Sequence, residues 1–537
     1  MGQRGSLPPL WDPAWEKAAC GTGFVADVSG HKSHTVLRLA LRAVENLTHR
    51  GAVSADGKSG DGAGVLTQVP LRLLGRELAG QGLPHRFGEG ELGVGVLFLP
   101  QEAVQEARAL AEEALRAEGL EPLSWRQVPV DPSALGEKAL RTVPSIWQVL
   151  VPRPLQVDEP AFQRALYLAR KGMERRARER GMDGFYVPSF SCRTVVYKGL
   201  MVAPQLPRFY KDLQDPEFET AVALFHQRYS TNTLPNWFLA QPFRFLAHNG
   251  EINTLQGNQN WIRAREPELT SSLWGERVRD LLPVIQAGGS DSAQLDNVLE
   301  LLALSGRDLL HVLCMLIPEA WENMPALPDH WRAFYQYHAC LTEPWDGPAA
   351  IAFSDGVVAG AVLDRNGLRP ARYTITLDGL VLMASEVGVV EIEEERVLQK
   401  GRLGPGQMLA VDTAAHRILK NPQVKEELAA RRPYGPWLKA HLFSFPEHLK
   451  GMDGSLLPKE RPALALEKAF GYTSEEVQML LQPMYEEAKE PVFSMGDDAP
   501  LAVLATHPPH RDANIKQRFA QVTTPPRDPR RGHIGKC

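Results

Sequence analysis

Short apolar runs that alternate with period two and longer stretches of helical period succeed one another along most of the chain. "GTGFVADV", starting at Gly21, predicts a short strand. In "SHTVLRLALRAVENLTHRGA" the apolar residues Val36, Ala40, Ala43, Val44 and Leu47 return at helical spacing, with Ser33 as a cap and Gly51 as a stop. "ELGVGVLFLP" predicts a strand that Pro100 ends. A helix follows from about Gln101 to Glu118, apolar at Val104, Ala107, Leu110, Ala111, Ala114 and Leu115. A second long helix is predicted from about Glu159 to Arg180, and "CRTVVYKG", "AAIAF", "VVAGAVL" and "GLVLMAS" read as further strands. The strands fall in antiparallel-looking pairs with helices between the groups, a mixed helix-and-sheet domain rather than a regular βαβ repeat.

The pattern changes after about Asp412. "KNPQVKEELAARRPYGPWLKAHL" lacks strand signal and is rich in charge and proline, so it reads as a connector, 413–440. A smaller, largely helical module follows, including "TSEEVQMLLQPMYEEAKE", and the closing "TTPPRDPRRGHIGKC" has no periodicity and few apolar groups. No internal repeat is visible.

Composition narrows the picture. With 44% hydrophobic and 23% charged residues among 537, the chain has the make-up of a soluble globular protein with a sizeable core. A net charge of −5 leaves no electrostatic footprint for nucleic acid. The basic run "RKGMERRARER" at 170–180 alternates with Glu174 and Glu179 and predicts a solvated helix face. No apolar stretch reaches the 18 or so residues of a membrane helix. Cys20, Cys192, Cys314, Cys340 and Cys537 are odd in number and far apart, which suits neither a disulfide framework nor a zinc or iron–sulfur site; a reducing, cytoplasmic setting without metal is expected.

Candidate chemistry begins at "WEKAACGTGF". Small residues around Cys20 invite a cleavage reading, but "LPPLWDPAWEK" upstream has three prolines and charges where a secretory signal needs an apolar core. A buried structural cysteine and a self-processed nucleophile remain. "GDGAG" at 60–64 lacks the Lys-Ser/Thr of a phosphate loop and by itself reads as a turn. Arg228 in "HQRYSTNT" could hold a carboxylate through paired hydrogen bonds, or be a surface or ion-paired arginine. Asn249-Gly250 in "LAHNGEINTLQGN" is either a hairpin turn or an amide and a backbone N–H aimed at a developing oxyanion. Asp291 in "GGSDSAQLDNVLELL" stands at a loop-to-helix junction, where a cap is the plain reading.

None of these is specific alone; their order and wording together are. From Cys20 to about Asp412 the chain resembles the class II glutamine amidotransferase domain of the glutamate synthase large subunit, through "CGTGF", "NLTHRGA", "GDGAGVLTQVP", "HQRYSTNTLPNW", "QPFRFLAHNGEINTLQGNQNW", "GGSDSAQLDNVLELL" and "LDRNGLRPARY" in that order. "FGYTSEEVQMLLQPM", "SMGDDAPLAVL" and "RFAQVTTPP" are similar to the start of that family's central domain.

The resemblance implies an α+β fold, a four-layer αββα N-terminal-nucleophile hydrolase domain at 20–412, followed after the connector by part of an α/β central domain at 441–524. It implies a leader, 1–19, whose removal makes Cys20 the first residue, and an atypical tail at 525–537. By resemblance Cys20 is the nucleophile, Asn249 and Gly250 stabilise the oxyanion, Arg228 holds the α-carboxylate of L-glutamine and Asp291 its α-ammonium. An α-amine titrates at about 7.7–8, so a freed Cys20 would carry its own base beside the thiol. FMN and a 3Fe-4S cluster belong to the family's flavin-binding barrel, absent here, so no cofactor is expected in this chain. Its partners would be a separate chain carrying that barrel and a small electron-donating subunit, with neither nucleic acid nor membrane. "PPRDPRRGHIGKC" departs from the family's wording, and the reading is of a truncated product that hydrolyses glutamine without making glutamate from 2-oxoglutarate. A non-enzymatic remnant with a glutamine-sensing role is the competing reading. The phosphoribosyl-pyrophosphate and glucosamine-phosphate amidotransferases fit the wording around "HNGEINTLQGNQNW" less well.

Overall fold

The structure, a computed structural model, describes residues 20–443 except 55, 57, 229, 231 and 232, together with 462–489, 491 and 506. The leader, the tail and most of the expected central domain lie outside the described residues. The chain divides into two units, Met1–Leu438 and Lys439–Cys537.

The first unit is built on antiparallel sheets. One has seven strands in the order β14-β12-β13-β1-β8-β2-β7: β1 (Gly21–Asp27), β2 (Ala63–Gln68), β7 (Thr194–Gly199), β8 (Val222–Gln227), β12 (Arg372–Thr376), β13 (Leu380–Ala384) and β14 (Val397–Arg402). The second runs β16-β15-β11-β10-β9, with β9 (Leu246–Gly250) at one edge, then β10 (Ala349–Ser354), β11 (Val358–Leu363), β15 (Met408–Asp412) and β16 (Arg417–Lys420).

Alternation along each strand sorts the side chains into layers. In β1, Phe24 and Ala26 join a core with Leu66, Val222 and Leu224 of the same sheet and with Ala247, Ala350, Ala352, Ala359 and Ala361 of the five-stranded sheet. The two sheets therefore stack face to face, and the alanine-rich inner face of the second suits their close approach. Val25 points the other way, to a core with Val36, Leu37, Ala40, Ala43 and Val44 of α1 (His34–Asn46). The outer face of the five-stranded sheet is covered by α8 (Asp291–Leu304), α9 (Leu309–Leu316), α10 (Asp329–Ala339) and α11 (Asn421–Ala429). The result is the expected helix–sheet–sheet–helix order.

A third, four-stranded sheet was not foreseen: β4 (Ser124–Gln127), β5 (Ser145–Pro152), β3 (Leu92–Leu99) and β6 (Tyr186–Ser191), in that order. Against it lie α3 (Val104–Ala117) and α5 (Glu159–Glu179), through Leu97, Leu99, Leu110, Ala111, Phe162 and Leu166. Helices α2 (Leu71–Gly80), α4 (Glu137–Arg141) and α6 (Leu206–Phe209) add to the core on the α1 side, and α7 (Leu255–Arg265) follows β9.

Two expectations change. Residues 413–440 were read as a connector, yet β16 pairs with β15, and Leu419, Val424 and Leu428 are buried against the second sheet's helices. The run at 170–180 is no solvated face at its start: Arg170, Lys171 and Glu174 are buried. Arg170 bonds Glu174 at 2.7 Å and Glu300 of α8 at 2.5 Å, and Arg244 bonds Glu174 at 3.1 Å. The arginines and glutamates are buried against opposite charges, while the Lys171 ammonium donates to the Pro283 carbonyl at 2.5 Å. In the second unit, helical turns at Ala463–Phe470 and from Ser474 to Glu487 agree with the helical reading of that stretch.

Candidate active site

The predicted residues gather at one end of the two stacked sheets. Cys20 immediately precedes β1, whose Gly21 pairs with Gln227 of β8, so Arg228 lies just beyond the neighbouring strand end. Gly64 of β2 pairs with His226. On the facing sheet, Asn249 and Gly250 close β9, opposite Ala350 and Ala349. Alternation turns Asn249 to the same side as Ala247, into the space between the sheets, and Arg228 to the same side as Leu224 and His226. Asn249 is buried and Cys20 half-buried. Asn249-Gly250 is thus the end of a strand and not a hairpin turn.

β9 is an edge strand, and its outward backbone groups are nearly all answered. Phe243 N–H donates to the Leu246 carbonyl at 2.8 Å. The His248 N–H donates to Gln241 Oε1 at 2.8 Å, and the His248 carbonyl accepts from His226 Nε2 at 3.0 Å. The Glu251 N–H turns inward to the Pro348 carbonyl at 3.1 Å, and the Ile252 N–H outward to Asp291 Oδ2 at 2.9 Å. By this alternation the Gly250 N–H faces the open edge, between two sealed neighbours, and it has no acceptor among the described residues. Gly250 holds φ 147°, and a Cβ there would lie 1.8 Å from the Pro348 oxygen, so only glycine fits.

Asp291 is the first residue of α8, and Ser290 does the capping, accepting from Ala293 N–H at 3.2 Å. The Asp291 carboxylate also accepts from Ser292 N–H at 2.7 Å. One turn along, Asp296 accepts from Phe245 N–H at 2.9 Å and Arg244 N–H at 3.2 Å. Helix α8 therefore grips the chain just before β9 and just after it. Burial pushes the Asp296 carboxyl up to about 6, with Arg244 pulling the other way.

His226 is fully buried between the sheets. A carbonyl partner requires Nε2 to be its protonated nitrogen, and burial, aided by the nearby Arg228 charge, lowers its pKa to about 3. The imidazole is thus a neutral tie between the strand leading to Arg228 and the strand carrying Asn249. Burial likewise lowers His248. Arg228 is buried; its Nη2 donates to Thr233 Oγ1 at 2.7 Å and its backbone N–H to the Gly62 carbonyl at 2.8 Å. Asp61 accepts from Ser230 N–H at 2.6 Å, so the "GDGAG" turn steadies the segment after Arg228. Tyr229, Thr231 and Asn232 lie outside the described residues.

Sequence reasoning passed over His226, Gln241, Asp61 and Asp296. All four lie inside motifs it quoted or beside a singled-out residue, but nothing local marks Asp296, because its partners, the Arg244 and Phe245 N–H groups, come from another segment.

Among the described residues no group of three or more His, Cys, Asp or Glu could hold a metal ion, and no helix is long and apolar enough to cross a membrane.

The profile described as glutamine amidotransferases class-II matches residues 20–437, from the candidate nucleophile to the end of the helix layer. The chain belongs to the class-II glutamine amidotransferases. A second profile, the glutamate synthase central domain, matches residues 465–535, so the two matched regions together are those of the glutamate synthase large chain. The chain is 47% identical to ferredoxin-dependent glutamate synthase 2 of Synechocystis sp., covering 98% of this chain and 34% of that protein. It is 44% identical to the glutamate synthase [NADPH] large chain of Bacillus subtilis, covering 97% and 34%. It therefore spans about a third of the length of these curated relatives. Among solved structures, a glutamine aminotransferase class-II domain protein of Silicibacter pomeroyi matches 39% of this chain and 78% of its own, at 18% identity and a TM-score of 0.20. The glutamine phosphoribosylpyrophosphate amidotransferase of B. subtilis matches 61% and 48%, at 14% and 0.26.

Proposed function

We propose that this chain hydrolyses L-glutamine to glutamate and ammonia through a thioester on Cys20. The bond between Ala19 and Cys20 is first cut, which frees the Cys20 α-amine. The amine takes the thiol proton, and sulfur attacks the glutamine side-chain carbonyl carbon to form a tetrahedral intermediate. Asn249 and the Gly250 N–H hold its oxyanion, and Arg228 and Asp291 hold the α-carboxylate and α-ammonium. The C–N bond breaks as the amine returns the proton, and ammonia leaves. Water then hydrolyses the thioester to glutamate and restores the thiol.

The observation that carries this reading is the Gly250 N–H, a donor left open on an otherwise sealed strand edge, beside Asn249 and across the sheets from the Cys20 strand. Preorganised donors of this kind act where charge develops. In the glutamate synthase setting the ammonia would pass to 2-oxoglutarate at the flavin- and cluster-binding barrel, carried outside the two matched regions, with a small electron-donating subunit as a further partner.

Intact mass before and after a glutamine-analogue alkylator tests the reading. Loss of residues 1–19 and one adduct on Cys20 are expected. An uncut chain with no adduct on Cys20 would overturn it in favour of the glutamine-sensing remnant.

A further inference from the structure

Away from Cys20, a cavity of about 270 Å³ opens between the start of α5, the β6–β7 turn, the C-terminal turn of α8 and the start of α9. Four arginines line it: Arg164, Arg193, Arg244 and Arg307. Its wall also carries three acids, but each already has an arginine. Glu300 pairs with Arg170 at 2.5 Å, Asp355 with Arg193 at 3.8 Å, and Asp308 with Arg431. Arg193 is further held by Glu159, and Arg244 by Glu174.

What is left is positive. Arg164 on α5 and Arg307 in the loop before α9 are half-buried and make no ion pair or side-chain hydrogen bond among the described residues. Arg244 is 6% exposed, and its Nε is buried with no hydrogen-bond partner. Glu174 already answers the Arg244 guanidinium, whereas Arg164 and Arg307 have no carboxylate among the described residues, and planar bidentate recognition of a carboxylate is what the group does best. The rest of the lining mixes apolar residues, Phe190, Phe245, Ala303 and Leu304, with small polar ones such as Ser189, Ser191 and Thr194. Two arginines without an acid, one on α5 and one in the loop before α9, in a lining that also offers apolar side chains, suit an anion with an acid at each end and methylenes between. They suit a compact, heavily hydrated oxyanion such as phosphate less well.

We propose that this cavity binds a short aliphatic dicarboxylate, one carboxylate at Arg164 and the other at Arg307. The site shares no residue with the glutamine site, and the proposal holds whether or not Cys20 is active.

Glutarate is the probe, used on the full chain at 0.15 M salt. Saturating glutarate should raise the melting temperature by about 2–4 °C, and calorimetry should show one site. Arg164→Gln and Arg307→Gln should each weaken binding at least tenfold, and the double variant should abolish the shift while melting normally without ligand. Arg228→Gln should keep it. Butyrate, with one acid, and inorganic phosphate should each give less than half the glutarate shift. A shift lost in Arg228→Gln but kept in the double variant would place the probe in the glutamine pocket and overturn the proposal. So would an equal response to phosphate, or no saturable response in the unaltered chain.

Discussion

Two buried polar clusters lie within the same unit and are built on opposite terms. At the end of the stacked sheets, His226, His248, Asn249 and Gln241 are neutral, and their bonds run mostly to backbone. Between α5 and α8, Arg170, Glu174, Arg244, Asp296 and Glu300 are charged side chains answered by opposite charges. The first cluster fixes backbone while leaving an N–H unspent. The second saturates itself and can serve only as a frame. A site that must meet a substrate's own charges gains from neutral supports, since fixed charges nearby would compete with Arg228 and Asp291.

The sharpest way to break this contrast is the frame. Arg170→Met leaves Glu174 and Glu300 buried with less compensation and should cost about 3–5 kcal/mol, read from denaturant unfolding. If stability barely moves, the cluster is not the frame described. Next comes the oxyanion donor: Asn249→Ala should lower glutaminase kcat by about 10²–10³, roughly 2.7–4 kcal/mol, with KM little changed. An equal loss of stability instead would put both clusters in one class. Asp291→Asn keeps an acceptor for the Ile252 N–H but removes the charge. It should raise KM for glutamine roughly tenfold to a hundredfold, about 1.4–2.7 kcal/mol, and an unchanged KM would remove Asp291 from the ammonium's side.

The smallest effect is with pH. The folded pKa of His226, about 3, lies below its ordinary 6.5, so its contribution to stability is complete above pH 6.5 and falls as pH drops toward 3. Asp296 works the other way: raised from 3.8 to about 6, it favours the folded state at low pH, and that gain is lost as pH rises through 6. The two largely cancel between about pH 6 and 4 in the unaltered protein. His226→Gln should therefore become relatively more stable on acidification, by about 1.4 kcal/mol per pH unit against the parent. Parallel curves would show that His226 titrates normally.

Much of the layering was legible because its signals are local. Alternation in "GTGFVADV" and the helical return of Val36, Ala40 and Val44 are set by neighbours a few positions away. The misread stretches depend on distant partners. Arg170 looks like a surface arginine until Glu300 is found 130 positions on, and Arg244 reaches Glu174 across 70. The Asn249-Gly250 pair looked like a turn because the strand facing it, β10, begins only at Ala349. The candidate site was named by the wording of its motifs, while its supports, His226 and Asp296 above all, became visible only when two sheets and α8 met.

The edge of β9 carries a further lesson, about strangers rather than substrates. An uncovered sheet edge is a template on which another chain can add a strand and begin to aggregate. Here the usual remedies are replaced by side chains: Gln241, His226 and Asp291 each occupy a rung that a foreign strand would need. The gap left at Gly250 is one rung wide. That is too short for another strand to register upon, and just wide enough for a single oxygen atom.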